Sequence, residues 1–431
     1  MRILIFGINY SPELAGIAPY TTGLADYFAS QGHTVRVVTG IPHYPGWSPR
    51  RARSSTANEN PRVQRHRHFV PRRPTAAGRT LYEITWLLSA AHSIGDEAAD
   101  TAIGVIPSLS GAVLAWLAHR RFRIPFGLIF QDTIGAAAQQ SGYLGGAKLA
   151  KPARSVERFL AHRADGVAIV AEGFRDYLAG LGVRNERIFR VRNWARSGAS
   201  AESKDQCRKR LGWSSSDFIC LHAGNMGQKQ GLDSLLAAAQ LLRSERVRVV
   251  LAGGGNDRQR LEGETRRHNL ENVSFIDVQE DGFYESMLQA ADVLIVNQRA
   301  SVGDMALPSK LTSYFASGRP VVAAVSAQSE TAREMRAAGG GIVVPSEAPQ
   351  ELATAVLELR DDPSLARGFG KNGLAYSAQH LDQLAVFPQF DRFLGFLVGF
   401  EVGTHSDGAD GERAFEAERG SAAMSGRRTR A

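Results

Sequence analysis

Residues Leu221–Ala239 read LHAGNMGQKQGLDSLLAAA, a pattern with the chemistry of an anion site. Phe218 to Leu221 ends a buried strand, a loop with Gly224, Gly227, Lys229 and Gly231 follows, and Leu232, Leu235, Leu236 and Ala239 then mark one face of a helix. Glycines let the backbone approach a phosphate, N–H groups and the helix dipole point at it, and a lysine adds a full positive charge. A nucleotide diphosphate suits such a place, although a glycine-rich strand-to-helix turn also arises for structural reasons alone. The spacing fits neither GxGxxG nor GxxxxGK[ST], so a dinucleotide fingerprint and a P-loop both lose ground.

Other chemistry-bearing residues stand where elements begin or end. RIPFGLIFQDT closes a strand with Gln131 and Asp132, and Asp132 either caps the next helix or reaches into a cleft. Gly16 lies in the loop between the first strand and a helix from about Pro19, at the carboxyl edge where open α/β sheets bind ligands; it is a plain loop glycine or part of a site. Glu330 opens the helix after the strand Val321–Val325 and either caps it or faces a ligand. Cys207 and Cys220 are the only cysteines, without metal-ligand spacing, and no DxD ends a strand. No disulfide, metal or cofactor is therefore expected, and a reducing cytoplasm suits the chain.

The elements that position these residues form two series. At 431 residues and 43% apolar composition the chain divides into two domains. RILIFG, Thr34–Thr39, Thr101–Ile106, Phe126–Phe130, Gly166–Val170 and Arg187–Val191 read as strands with helices between them. The polar stretch 196–216 reads as a linker. Phe218–Ala223, Val247–Ala252, Val273–Ile276, Val293–Val296, Val321–Val325 and Ile342–Val344 then repeat the alternation. Two such domains leave a cleft between the carboxyl edges of their sheets, a favoured place for ligands. Residues 401–431 lack periodicity and read as a disordered tail.

The net charge of +8 is uneven: Arg50–Arg79 holds nine arginines, with Glu59 as its only acid. That stretch, from Pro42, reads as a long loop or an excursion from the sheet. The helix after it places Leu81, Ile84, Leu88 and Ala91 on one stripe, either packed on the sheet or lying on an anionic membrane surface. No nucleic-acid-binding fold accompanies the arginines, so nucleic acid is not an expected partner. Met1–Phe6 is too short for a secretory signal, and no apolar run reaches the roughly 18–20 residues that span a bilayer. The chain reads as cytoplasmic, peripheral on the inner face of the plasma membrane.

Several segments together resemble the GT-B glycosyltransferases of family 4, and within them the WcaI- and WbuB-like subgroup of colanic acid and fucosamine transferases. They are the opening MRILIFGINYSPELAGIAPYTTGLADYFASQGHTVRVVTGIPHYPGW, RVRNW at 190–194, HAGNMGQKQGLDSLLAAA, and ALPSKLTSYFASGRPVVAA. The resemblance implies two Rossmann-like α/β domains facing across a cleft. It assigns 1–195 to an acceptor domain, 217–375 to a nucleotide-sugar domain, and 376–400 to a helix crossing back. It implies retaining transfer, without metal, from a UDP- or GDP-sugar to a lipid-linked saccharide in surface polysaccharide or glycoconjugate biosynthesis. A UDP-sugar epimerase of the same fold and a catalytically silent nucleotide-sugar-binding scaffold remain open alternatives.

By the same resemblance Lys229, Asn225, Gly227, Gly231, Ser309 and Lys310 contact the donor diphosphate, with Val278 and Gln279 beside the base and Gly16 and Glu330 at the donor. Relatives often carry Arg near Asn225, a pair of glutamates where Met305 and Ser313 stand, and His at the strand end that here reads FQDT. Asp132 is then the polar candidate for polarising the acceptor or supporting the cationic centre, and Lys229 and Lys310 share the diphosphate charge.

Overall fold

Strands buried on both faces are stable only inside a parallel sheet covered by helices, and RILIF, TVRVVTG, TAIGVI, FGLIF and GVAI are buried almost throughout. The computed structural model describes residues 1–13, 16–44, 46–56, 58–72, 75–95, 97–133, 146–195, 202–277, 283–302 and 309–399. Its first half runs β1 (Arg2–Phe6), α1 (Ala18–Ser30), β2 (Thr34–Gly40), β3 (Arg62–His66), α2 (Ala76–Ala90), β4 (Thr101–Ile106), α3 (Leu109–Phe122), β5 (Phe126–Phe130), α4 (Gly146–Arg163), β6 (Gly166–Ile169), α5 (Gly173–Gly180) and β7 (Ile188–Arg190). These strands pair in parallel in the order β3-β2-β1-β4-β5-β6-β7. Ile5 faces Val37 on one side and Ile103 on the other, so strand order reverses at β1, where a crevice opens at the carboxyl edge.

The second half repeats this plan with α6 (Lys204–Leu211), β8 (Phe218–Ala223), α7 (Asp233–Leu241), β9 (Val247–Ala252), α8 (Arg258–Arg267), β10 (Val273–Ile276), α9 (Phe283–Ala290), β11 (Val293–Asn297), α10 (Lys310–Ala316), β12 (Val321–Ala324), α11 (Glu330–Ala338), β13 (Gly341–Val344), α12 (Pro349–Asp361), α13 (Pro363–Tyr376) and α14 (Gln383–Val398). Its parallel order is β10-β9-β8-β11-β12-β13, with the switch at β8. Leu235, Leu236 and Ala239 of α7 are buried as the sequence pattern requires. Helix α14 belongs to the first half's core: its Phe393 and Leu397 lie where a Cβ on Gly127 would come within 2.6 Å of each, and Phe387 stacks on Tyr27 with centroids 4.1 Å apart.

Three expectations change. The stretch read as a loop or excursion contains edge strand β3, paired with β2 at Val37–Val63; RVQRH has only Val63 to bury, so it carries no alternation to read. Helix α2 turns the opposite face inward. Tyr82, Trp86 and Ala90 are buried, while Leu81, Ile84 and Leu88 are 46%, 47% and 64% exposed. Tyr82 bonds His43 and packs edge-on against Trp47, contacts that draw the aromatic face into the core. Within 196–216, α6 is a helix whose Ser203–Gln206 capping box starts it and whose Lys204 and Arg208 pair with Asp292. Its charged sequence shows no apolar period. The tail, 401–431, lies outside the described residues.

Candidate active site

The glycine loop after β8 is held by its own chain and by two neighbouring strand ends. Met226 N–H donates to Gly254 C=O at 2.7 Å, and Gly253 and Gly255 pass so close beneath that a Cβ on either would sit 2.0 Å from Gly224 O or 2.3 Å from Met226 O. Both have positive φ, +135° and +151°, where glycine is favoured. From β11, Asn297 Nδ2 donates to the carbonyls of Gln230 and Gly231 at 2.6 and 2.8 Å, and Arg299 N–H donates to Lys229 C=O at 2.9 Å. Gly231, at φ +56°, turns the chain into α7.

These contacts refine which donors the loop offers. Gly227 N–H donates to Gln230 Oε1 at 3.1 Å and Gly231 N–H to Gln228 C=O at 3.2 Å, so both are engaged inside the loop. Gln228 and Lys229 open the short helical turn Gln228–Gln230, and the first N–H groups of such a turn have no acceptor within it. Asn225 is exposed and Lys229 half-buried on the same loop.

Lys310, the first residue of α10, reaches back under Gly224, where a Cβ would lie 3.3 Å from its Nζ. Its ammonium donates to Nε2 of His222, 3.1 Å away, and burial lowers it to about 7. Ser309 precedes it, exposed, its carbonyl accepting from Thr312 Oγ1 at 2.7 Å. Ser313 is buried; Met305, Val278 and Gln279 lie outside the described residues.

Across the cleft stands Asp132, at the end of β5. Enclosure pushes its carboxyl above the ordinary range, and the charge of Lys229, the Thr133 N–H at 2.8 Å and the charge of Arg79 pull it back. The structure therefore brings Asp132 of one half into the electrostatic reach of Lys229 of the other. Arg79, which the sequence marked only as one of many arginines, also lies over the Trp47 ring at 5.5 Å.

The rim of the first half is a packed polar cluster. Gly16, at φ +67°, has the Tyr44 ring 3.0 Å from where its Cβ would be. Buried Glu13 accepts from the N–H groups of His43 and Tyr44 at 2.6 and 2.7 Å and from Asn9 Nδ2 at 2.8 Å. His43 shares a 3.2 Å hydrogen bond with Tyr82 OH.

Glu330, only 3% exposed, faces the first half: it accepts from Glu172 N–H at 3.0 Å and from Arg190 at 2.9 Å, while Ser329 caps α11. Burial pushes its carboxyl up, but the Arg190 charge and these hydrogen bonds outweigh it and hold it below the ordinary range. Arg192 and Glu334 form a second bridge at 2.5 Å, and Asn193 donates to Gln131 beside Asp132 at 2.8 Å. Among the described residues no three His, Cys, Asp or Glu side chains gather as metal ligands. The arrangement offers two lysines and backbone N–H groups to an anion, with one raised carboxyl opposite.

Residues 15–194 match the glycosyl transferase 4-like domain family, and residues 203–375 match glycosyl transferases group 1. The chain is 32% identical over 348 residues to the putative colanic acid biosynthesis glycosyl transferase WcaI of Escherichia coli K12, across 77% of this chain and 84% of that protein. Sucrose-phosphate synthase from Thermosynechococcus elongatus has the same fold at a TM-score of 0.76 and 18% identity, covering 92% of this chain and 99% of that one. Anabaena HepE in complex with UDP-glucose gives a TM-score of 0.69 at 16% identity, covering 92% and 99%.

Proposed function

The chain belongs to the family 4 glycosyltransferases of GT-B fold, and we propose that it moves a sugar from a UDP- or GDP-sugar to a lipid-linked saccharide with retention of configuration. The observation that carries this reading is the convergence of Lys229 and Lys310 on the glycine loop with Asp132 opposite. Breaking a sugar–diphosphate bond demands stabilisation of the departing phosphate, which fixed cations and N–H groups provide in an enclosed site. Asp132 orients the acceptor hydroxyl or supports the cationic sugar carbon. In a transfer without a covalent intermediate the leaving phosphate oxygen takes the acceptor's proton. Retention and the acceptor class come from the family resemblance, and the UDP-glucose held by HepE supports the nucleotide-sugar donor.

The acceptor class brings a bilayer with it. Leu81, Ile84 and Leu88 form an exposed apolar stripe on α2, and exposed Phe69 is tied to it by a 3.0 Å hydrogen bond from its N–H to Thr85. Exposed Arg67, Arg72 and Arg79 lie on the same segment. Apolar side chains beside arginines suit an anionic interface, and we assign this face to peripheral contact. No helix among the described residues is long and apolar enough to cross a membrane.

Purified protein incubated with UDP- and GDP-sugars, with and without membrane extract, tests the reading. Acceptor-dependent nucleotide release is expected. Sugar interconversion without acceptor would indicate an epimerase, and binding without turnover a scaffold; either would overturn the proposal.

A further inference from the structure

His222, near the end of β8, is fully buried, and nothing in the chemistry above uses it. Its Nε2 accepts from Lys310 at 3.1 Å, and Lys310 fits there because Gly224 has no side chain. Lys310 is half-buried, and an ammonium drawn out of water ordinarily has a carboxylate beside it. Lys310 has none within ion-pair distance among the described residues. The titratable groups on its own helix, on β8 and on the loop are Tyr314, Cys220 and His222, and Lys229, and α13, packed against that helix, brings Tyr376. The Tyr314 hydroxyl is engaged with the backbone N–H and C=O of Ala223, at 2.8 and 3.2 Å, and Tyr284 of α9 acts on Tyr314.

Two nitrogen bases thus face each other with no carboxylate beside them among the described residues. Burial first, and the Lys310 charge second, hold the His222 imidazole well below its usual range, so the ring stays neutral and serves as an acceptor. An anion drawn up to the amine would favour its charged form.

We propose that His222 is a positioning residue for Lys310, and that the pair takes up one proton when a nucleoside diphosphate enters the loop. The proton comes from solvent and goes to the Lys310 amine, whose ammonium then donates both to His222 Nε2 and to a phosphate oxygen. The inference rests on the reading of this loop as the donor diphosphate site. The empty-site amine titrates at about 7, and an adjacent anion raises that value. Below the empty-site value the proton is already present and uptake is small. Above it uptake approaches one, and affinity falls by up to about tenfold per pH unit.

Calorimetric titration of the full chain with UDP and with GDP, between about pH 7 and 9 in buffers of different ionisation heat, measures this uptake directly. That range lies above the titration of a terminal phosphate, near pH 6. The wild type is expected to take up an increasing fraction of a proton as pH rises. Lys310→Met is expected to bind more weakly with no uptake, and His222→Leu to show uptake that begins at lower pH. A purely structural His222 would leave that onset unmoved. Nucleotide binding without uptake in the wild type would overturn this inference alone, whether or not the variants fold. Failure of both nucleotides to bind would overturn the donor-site reading together with it.

Discussion

At the carboxyl edge of β8 the chain presents backbone and cations, while at the carboxyl edges of β1 and β2 it presents packed side chains. The first edge is glycine held by main-chain bonds, with Gly253 and Gly255 underneath and Asn297 fixing the carbonyls. The second is Glu13, His43, Tyr44, Trp47 and Tyr82 in mutual contact, with Arg79 over Trp47. Both edges stand at the switch point of a parallel sheet, so topology does not distinguish them. The difference lies in what each must recognise. On the function proposed above, a diphosphate, with its fixed geometry and charge, is met by backbone, which side-chain changes outside Gly253, Gly255 and Asn297 leave intact. On the same function, the acceptor falls to the second edge and would be met by side chains, which sequence can exchange freely.

The comparison breaks most sharply at Lys229. Lys229→Ala removes a cation from the backbone-built edge and should lower acceptor-dependent nucleotide release by about 100-fold or more, with the melting temperature unchanged. Near-normal release would show that the glycine loop is not the catalytic cradle. Asp132→Asn tests the other edge: kcat should fall about tenfold to a hundredfold, while donor affinity, set by the loop, stays within about threefold. An equal loss in both would place Asp132 in donor binding instead.

The seam between the two edges gives a smaller effect. Glu330→Gln leaves Arg190 short of its carboxylate and should cost about 1–3 kcal/mol of stability at neutral pH. Because the folded Glu330 holds its proton less tightly than an unfolded glutamate, its contribution is complete above the ordinary carboxylate range and is lost as pH falls through the depressed value. Wild type and variant should therefore converge in melting temperature on acidification; a constant gap would deny the ion pair its part. Smallest in stability is Leu88→Gln, on the exposed stripe, expected within about 0.5 kcal/mol. It should nonetheless reduce co-sedimentation with anionic vesicles, an attachment that weakens as added salt shortens the screening length to about 8 Å and below.

The same contrast governs what the sequence disclosed. Continuous apolar runs dictate parallel strands, and glycines between a strand and a helix announce a tight loop, so the strand, loop and helix of the second half's edge were legible from residue types alone. Edge strand β3 was not, because backbone pairing holds RVQRH with only Val63 buried. Of the two readings of the Leu81, Ile84 and Leu88 stripe, packed on the sheet or facing outward, period alone could not choose, and the structure leaves the stripe exposed. Glu13 and Arg79 carry no local pattern; their neighbours come from β2 and from the rim of α2. Two signals were present and unused: the run Gly253–Gly255 directly after a strand, and Asn297 closing the apolar strand VLIVN. Each marks a place where backbone approaches backbone or a loop needs a donor.

Helix α14 has a consequence for the order in which this protein can be made. Its Phe393 and Leu397 fill the core around Gly127 and Gly166, so the first half lacks a wall until this helix has been synthesised. The second half has its core in hand earlier. The second half's core closes at Leu381 and the first half's at Leu397, so the two domains of a nascent chain are completed within one helix of each other.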